Sequence, residues 1–412
     1  MPRASESGTD MRIRRTLTPE DRVDSLYLDI PFEVSGASSI EVVLQYDTSR
    51  AVIDLGCMGA SGWRGWSGGA RQRFIISEST ATTGYCPGAL ENGIWNVVLG
   101  LHHVPAEGVD LDLTINIPAV GTVDPEPAAP AAVSNVPASR RRKLPSVAGM
   151  TWFAGDCHAH TLHSDGALSI RQLAAEAAGN GLDFLAITDH NTVSHHPHLE
   201  SAGAEYGITL LPGQEVTTVR GHANAYGRIG WVDFRRHPDE WVKQVEAQGG
   251  FLSINHPVAT DCSWQWQLSR KPTHAEIMHE TWLPNRRDTS IWAWLNAWSE
   301  PVIPLGGGDF HRHEGGHPVG LPTTWVQAAG PGEEELFNAL KNGPTALSMG
   351  IESPLLMRVD GELLAIDAEG TLLIDFEGHR RLVRGSTVSF KDTGPGPFRL
   401  ETADRQILAV SM

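Results

Sequence analysis

Two patterns meet near Thr151, and their order limits the folds open to this chain. After Thr151, short apolar runs alternate with amphipathic segments. Asp183–Thr188 (DFLAIT), Ile208–Leu211, Phe251–Asn255, Ala275–His279 and Pro301–Leu305 read as buried strands. Between them Ser169–Asn180, Pro238–Gln248 and Ser290–Ser299 carry helical periods, and a last helix spans Glu333–Lys341. In the first helix Ile170, Leu173, Ala174, Ala177 and Ala178 form one stripe, and Asn180-Gly181 supplies a stop. In the third, Ile291, Trp294, Leu295 and Trp298 recur at helical steps, which predicts core packing rather than a ligand cage. Strand–helix alternation of this kind predicts a parallel sheet or barrel.

Before Asp124 the pattern is different. Leu26–Val34, Ser39–Tyr46, Ala51–Leu55, Arg73–Ile76, Trp95–Leu101 and Leu111–Ile117 alternate as short strands, with SGWRGWSGG and CPGALENG read as turns and no helical period. Residues 1–120 are therefore expected to form an antiparallel β-sandwich. Residues 121–148, rich in Pro, Ala and Ser, read as an extended linker whose basic run Arg140–Lys143 is a solvated tether. The α/β domain is expected over 149–350. A small C-terminal β addition follows over 351–412, with strands at Leu355–Val359, Leu363–Ile366, Thr371–Phe376 and Thr387–Lys391.

Charge excludes some functions. With 49 acidic against 32 basic residues the net charge is −17, which argues against non-specific nucleic-acid binding. The start lacks an apolar signal segment, no stretch is long enough to span a membrane, and Cys57, Cys86, Cys157 and Cys262 form no CxxC pair. A cytoplasmic protein is the expectation.

Histidine placement points to chemistry. Fifteen of the 18 histidines lie between residues 150 and 320. Asp156, His158 and His160 follow the apolar segment Met150–Gly155, and Asp189-His190 ends DFLAIT. Glu215 follows Leu210–Gly213, His256 ends FLSIN, and Asp309 and His311 follow PVIPLGGG. Packing does not explain polar groups at five successive strand ends; a metal site does. His158 and His160, like Asp309 and His311, are two residues apart, so in extended chain they project to one side. Mixed His and carboxylate donors suit Zn, Mn or Fe at a hydrolytic centre, and the donors outnumber what one ion can use. Cys157, between Asp156 and His158, is read as core. Ser164 has no base and orienting partner in view, which argues against a serine nucleophile.

These motifs, DCHAHTLHSDG, AITDHNTVS, GQEVTT, GHANAYG, INHP and GGGDFH, resemble those of the PHP (polymerase and histidinol phosphatase) superfamily. The segments IDLGCMGASGWRGWSGGAR and GYCPGALENGIWNVVLG resemble the leader domain of its CehA/McbA-like branch. The resemblance implies a distorted (β/α)7 TIM-like barrel holding two or three divalent ions. It implies His158, His160, Glu215 and Asp309 as ligands of a first metal, and Glu215, His222 and His256 of a second. A third would take Asp165, His190 and His311. Asp165 stands where many PHP phosphatases have His.

The expected function is metal-dependent hydrolysis of a small, anionic phosphomonoester or phosphodiester by a metal-bridging hydroxide. Glu215, Asp165 and His311 are the catalytic candidates, and Arg220, Arg312, His313 and His317 are candidate substrate contacts. His195, His196 and His198 read as a loop and helix-start cluster. Three ligating carboxylates against two or three divalent ions leave such a centre neutral to positive, so the overall negative charge is no obstacle. The alternatives are a carboxyl-ester or carbamate hydrolase with the same metals, and a non-catalytic module with a binding N-terminal domain. No oligomeric state is read from the sequence.

Overall fold

The computed structural model describes residues 9–131, 136–146, 148–287, 289–392, 394 and 396–412. The chain divides into two compact units. One comprises Met1–Ala128, Leu162–Asp165 and Asp189–His195; the other comprises Ala129–Thr161, Gly166–Thr188 and His196–Met412.

The first unit contains β1 (Thr9–Leu17), α1 (Pro19–Asp24), β2 (Tyr27–Val34), β3 (Ser39–Gln45), β4 (Val52–Gly59), β5 (Gly62–Gly68), β6 (Arg73–Ser77), β7 (Gly93–His103) and β8 (Val109–Ile117). They pair as two antiparallel sheets, ordered β1-β8-β3-β6 and β2-β7-β4-β5. Period-two alternation buries Ile40, Val42 and Leu44 with Leu111, Leu113 and Ile115 from one sheet. From the other it buries Ile53, Leu55 and Cys57 with Val97, Leu99 and Leu101. All twelve belong to one core, as a sandwich requires.

Two expectations fail here. A short helix, α1, lies where no helical period was visible. It is too short to show a period and is set by a capping box, in which Thr18 Oγ1 accepts from Asp21 N–H and the Asp21 carboxylate accepts from Thr18 N–H at 2.8 Å. The segment expected as a turn at SGWRGWSGG is largely strand β5. Its register against β4 slips at two bulges, and that irregularity hides the alternation.

The second unit begins with α2 (Ala138–Arg141), β9 (Thr151–Asp156), α3 (Ile170–Gly179), β10 (Phe184–Ile187), α4 (Leu199–Tyr206), β11 (Thr209–Thr218) and β12 (Gly221–Tyr226). It continues through α5 (Pro238–Ala247), β13 (Phe251–Ile254), β14 (His274–His279), α6 (Ser290–Trp298), β15 (Ile303–Gly307), β16 (Thr323–Ala328), α7 (Glu333–Asn342) and β17 (Thr345–Ser348). The last strands are β18 (Leu355–Val359), β19 (Glu362–Ile366), β20 (Leu372–Ile374), β21 (Arg380–Leu382), β22 (Thr387–Lys391), β23 (Phe398–Glu401) and β24 (Ile407–Ser411). Thirteen strands form one sheet, in the order β15-β14-β13-β12-β11-β10-β9-β16-β17-β24-β23-β20-β21.

Helix α3 forms as its sequence predicts. Ser169 accepts from Gln172 N–H, the Gln172 side chain accepts from Ser169 N–H, and Ile170, Leu173, Ala174 and Ala177 are buried. Such a cap is worth about 0.5–2 kcal/mol. The Trp stripe is only half core: Ile291 and Trp298 are buried, while Trp294 and Leu295 are partly exposed.

The strand–helix alternation predicted parallel neighbours, yet the sheet is mixed. β9, β10 and β11 run parallel, as do β13, β14 and β15. β12 is antiparallel to both its neighbours, because only Val219 and Arg220 connect it to β11 and so short a link can only fold back. β16 also lies antiparallel to β9. Edge strand β15 is tied to β16 and β17 through side chains: Thr324 Oγ1 accepts from Gly306 N–H at 2.7 Å, and Thr345 Oγ1 donates to Pro304 O at 2.6 Å.

The C-terminal β segment divides: β18, β19 and β22 form a sheet of their own, while β24, β23, β20 and β21 join the main sheet. β24 pairs with β17, so the chain end continues the main sheet. The expected linker is partly ordered as well; its residues 132–135 and 147 lie outside the described residues. Arg142, expected to be a solvated charge, donates to Ile351 O and Ser353 O at 2.9 Å, pairs with Asp367 and lies over the Trp325 ring.

Candidate metal centre

The centre of the second unit grows from strand ends. β9 stops at Asp156, and His158 and His160 follow it, both with no solvent exposure. β15 stops at Gly307, and Asp309 and His311 follow. His256 follows β13. Glu215, expected past a strand end, sits inside the longer β11. The hairpin register pairs Glu215 with Asn224 and Thr217 with His222, so His222 lies diagonally from Glu215 on one face.

These residues converge. His158 Nε2 and His160 Nε2 are 3.0 Å apart, and Asp309 Oδ1 is 3.3 and 3.0 Å from them. Glu215 stands between two pairs of imidazoles. Its Oε1 lies 3.4 Å from His158 Nε2, 3.1 Å from His222 Nδ1 and 3.4 Å from His256 Nε2, and its Oε2 lies 3.6 Å from His160 Nε2. Donors held ~2.0–2.1 Å from a tetrahedral ion stand about 3.3 Å from one another. The spacings here match that value, so the residues fit a metal. The carboxylate is itself oriented: Asn255 Nδ2 donates to Glu215 Oε1 at 2.8 Å, and Thr217 Oγ1 to Oε2 at 3.3 Å.

The electrostatics agree. Burial alone would depress the His158 pKa, but Asp309, Glu276 and Glu215 together raise it well above the ordinary imidazole value. His256 is raised likewise against its burial, by Cys262 and Glu215. Asp309 is held well below the carboxylate range despite burial, by His158, His160 and His311. A field that recruits protons onto these imidazoles would equally recruit a divalent cation in their place. His256 at φ 27° and Asp309 at φ 46° adopt left-handed backbone, the kind of local strain that accumulates at functional sites.

Two residues escaped the sequence reading. Glu276 and His279 lie on β14, both buried. Glu276 Oε1 accepts from His158 Nδ1–H at 2.7 Å, and Oε2 accepts from His256 N–H at 2.8 Å. One carboxylate thus fixes two members of the cluster, a partnership that typically raises ligand basicity and sets the tautomer. The run AEIMHE carried a signal for it, since an acid inside an apolar strand is rarely buried without a partner. Gly307 and Gly308 make the approach possible: a Cβ on the first would collide with Glu276, and on the second with Asp156. Replacing Glu276 by Gln should weaken metal binding about 10–100-fold, read by competition with a chelating dye. Unchanged affinity would remove Glu276 from the account.

His311 belongs to this unit. Its ring stacks on His160 with centroids 4.1 Å apart, and its Nδ1–H donates to Asp309 O at 2.8 Å, leaving Nε2 as the lone-pair nitrogen. Asp165 and His190 belong to the first unit, where Asp165 Oδ1 is 3.6 Å from His190 Nε2. Within that unit Arg71 donates to Ser164 O at 3.0 Å and to Leu162 O, Trp63 Nε1 donates to Asn191 O at 3.2 Å, and Thr192 Oγ1 donates to Gly84 O at 3.0 Å. The segments carrying Asp165 and His190 are thereby held by the sandwich. Ser164 donates to Asp189 at 2.6 Å. His196 and His198 form the short helical turn expected near them.

The candidate substrate contacts fare unevenly. Arg220 is exposed, stacks on Trp266 at 4.1 Å and donates to Gln265 O, so it is engaged away from the cluster. His313 is exposed beside Glu176, and Arg312 is exposed. His317 is nearly buried, 3.6 Å from Glu280. Glu280 in turn feels Asp309, His311 and His256, and burial raises its pKa. A cavity of about 730 Å³ is lined by Leu199, Gly203, Arg228, Gly249, Glu333 and Phe337 among others, and contains none of the cluster residues. Cys157 is core, and all four cysteines are free. No helix among the described residues is long and apolar enough to cross a membrane.

The PHP domain family matches residues 156–289. A 5'-3' exoribonuclease of Haemophilus influenzae is 40% identical over 63 residues, 15% of this chain and 23% of that protein. A probable phosphatase of Acetivibrio thermocellus is 31% identical over 103 residues, 23% of this chain and 39% of that one. The chain thus spans less than half the length of these two relatives. Among solved structures, a Bacteroides vulgatus two-domain protein containing a predicted PHP-like metal-dependent phosphoesterase aligns with TM-score 0.41 and 18% identity, over 68% of this chain and 91% of that one.

Proposed function

We propose that the cluster around Glu215 is a divalent metal centre and that the protein is a metal-dependent hydrolase of small phosphoesters. The observation that carries this is the bracketing of one buried carboxylate by two imidazole pairs at metal-donor spacing. The match of residues 156–289 to the PHP domain and the similarity to a probable phosphatase support it.

His158, His160 and Asp309 with Glu215 would hold one ion, and Glu215, His222 and His256 a second. Bound there, such ions would polarise a phosphoryl oxygen and lower the pKa of water toward ~7. The chain's own residues prepare the site. Glu276 keeps the His158 proton on Nδ1, so Nε2 offers its lone pair to the centre. Asn255 and Thr217 hold the Glu215 carboxylate in one orientation. His256, Glu276 and His279 are almost fully buried, which lowers the local dielectric and strengthens each charge interaction. The distorted (β/α)7 barrel implied by the sequence resemblance belongs to this same reading.

A substrate panel tests it. p-Nitrophenyl phosphate and bis(p-nitrophenyl) phosphate should be hydrolysed in a manner that chelator abolishes and added Mn or Zn restores. Turnover of p-nitrophenyl acetate or 1-naphthyl carbamate alone would move the activity to carbonyl chemistry. No turnover of any of these, with metal present, would count against an enzyme.

A further inference from the structure

His279 stands at the same cluster with the opposite polarity from its neighbours. It is 1% exposed, at the end of β14. Its ring lies 4.9 Å from that of His256 and 6.0 Å from that of His158. Nε2 points at the carboxylates but is 3.7 Å from Glu276 Oε2 and 3.6 Å from Asp309 Oδ2, and it has no hydrogen-bond partner among the described residues.

The other ring nitrogen settles the tautomer. Thr281 N–H donates to His279 Nδ1 at 3.2 Å, and the Thr281 hydroxyl stands 3.1 Å from the same atom. A nitrogen that accepts from a backbone N–H carries no proton, so the ring proton of the neutral imidazole is on Nε2. His158 and His311 are arranged the other way. Their Nδ1 protons go to a carboxylate and a carbonyl, and their Nε2 atoms keep lone pairs. Serving as a ligand through Nε2 would force the His279 proton onto Nδ1, against the Thr281 N–H.

We propose that His279 is a catalytic hydrogen-bond donor, its Nε2–H aimed at a phosphoryl oxygen of the substrate, and not a ligand of the centre. This rests on the metallohydrolase reading above. A buried, fixed donor facing an oxygen that gains charge in the transition state acts without reorganising during the reaction. The two nearby carboxylates would repel that oxygen in an empty site. Ions held by the Glu215 cluster would offset that repulsion, leaving the His279 donor to meet the substrate oxygen.

His279→Ala and His279→Gln, with the wild type, provide the test, each measured for metal content, kcat and KM on p-nitrophenyl phosphate, and inhibition by inorganic phosphate. The expected result is unchanged metal content in both variants, kcat about 10²–10³-fold lower in His279→Ala, and weaker inhibition by phosphate. Partial recovery in His279→Gln, whose side-chain amide can still donate, completes it. Loss of metal in both variants would make His279 a ligand, and unchanged kcat would make it structural; either result overturns the proposal. A wild type that binds no metal would instead overturn the reading on which the proposal rests. Unfolding of the metal-free proteins shows whether each variant is intact.

Discussion

Replacing His158 and His160 together by Ala should lower hydrolysis by about 10³-fold or more and remove the ion that these two residues would hold. Both imidazoles are fully buried, and both direct Nε2 at Asp309 and Glu215. Their removal takes away two of the imidazoles that offset the Glu215 and Asp309 carboxylates. Metal assistance supplies several kcal/mol of transition-state stabilisation, and each 1.36 kcal/mol is tenfold in rate, which sets the scale. Circular dichroism of the variant should keep its wild-type shape, since the neighbouring core around Leu185, Ile187 and Phe310 does not depend on these rings. A variant that retains both metal and turnover would defeat the assignment.

Replacing Asp156 by Ala should cost about 3–9 kcal/mol of stability. Asp156 is fully buried and binds no substrate or metal in this account. Its Oδ1 accepts from Gly308 N–H at 2.8 Å and His158 N–H at 3.1 Å, and its Oδ2 accepts from Gly320 N–H at 2.9 Å. One carboxylate therefore fixes the chain after β9, the turn after β15 and the start of the approach to β16. Burial raises its pKa to about 6, against the pull of those N–H groups; three N–H donors on one carboxyl suit its ionised form, whose hydrogen bonds are charge-assisted. Alanine leaves three buried donors unpaired at ~1–3 kcal/mol each. Set against a typical total of ~5–15 kcal/mol, that is a large share. Urea unfolding of metal-free protein measures it. Asp156→Asn, which keeps one acceptor oxygen, should fall between; an alanine variant as stable as wild type would contradict the role.

Much of the site could be read in the sequence because its information is local. An apolar run followed by His or Asp marks where a strand stops and a candidate donor begins, as at His158, His256 and Asp309. The capping residue Ser169 and the stop at Asn180-Gly181 announce α3 in the same way. What escaped depends on the third dimension. Glu276 acts on residues far away in sequence, and the acid inside HAEIMH signals a buried partner without saying which one. The antiparallel β12 was hidden because its hairpin needs only two linking residues and its alternation is diluted by Ala and Gly. The bulged strand β5 was hidden by its glycines, and β24 because a strand's neighbours are chosen by the sheet rather than by its own residues. Arg142 looked like one of four solvated charges until the fold supplied two carbonyls, Asp367 and a Trp face.

Metal content by plasma mass spectrometry, on protein purified without chelator, tests the metal centre itself. Wild-type protein should carry two or more equivalents of Mn, Fe or Zn per chain, and the His158 and His160 double variant fewer. No bound metal, and no uptake when Mn or Zn is added, would mean that the donors around Glu215 do not form a metal centre.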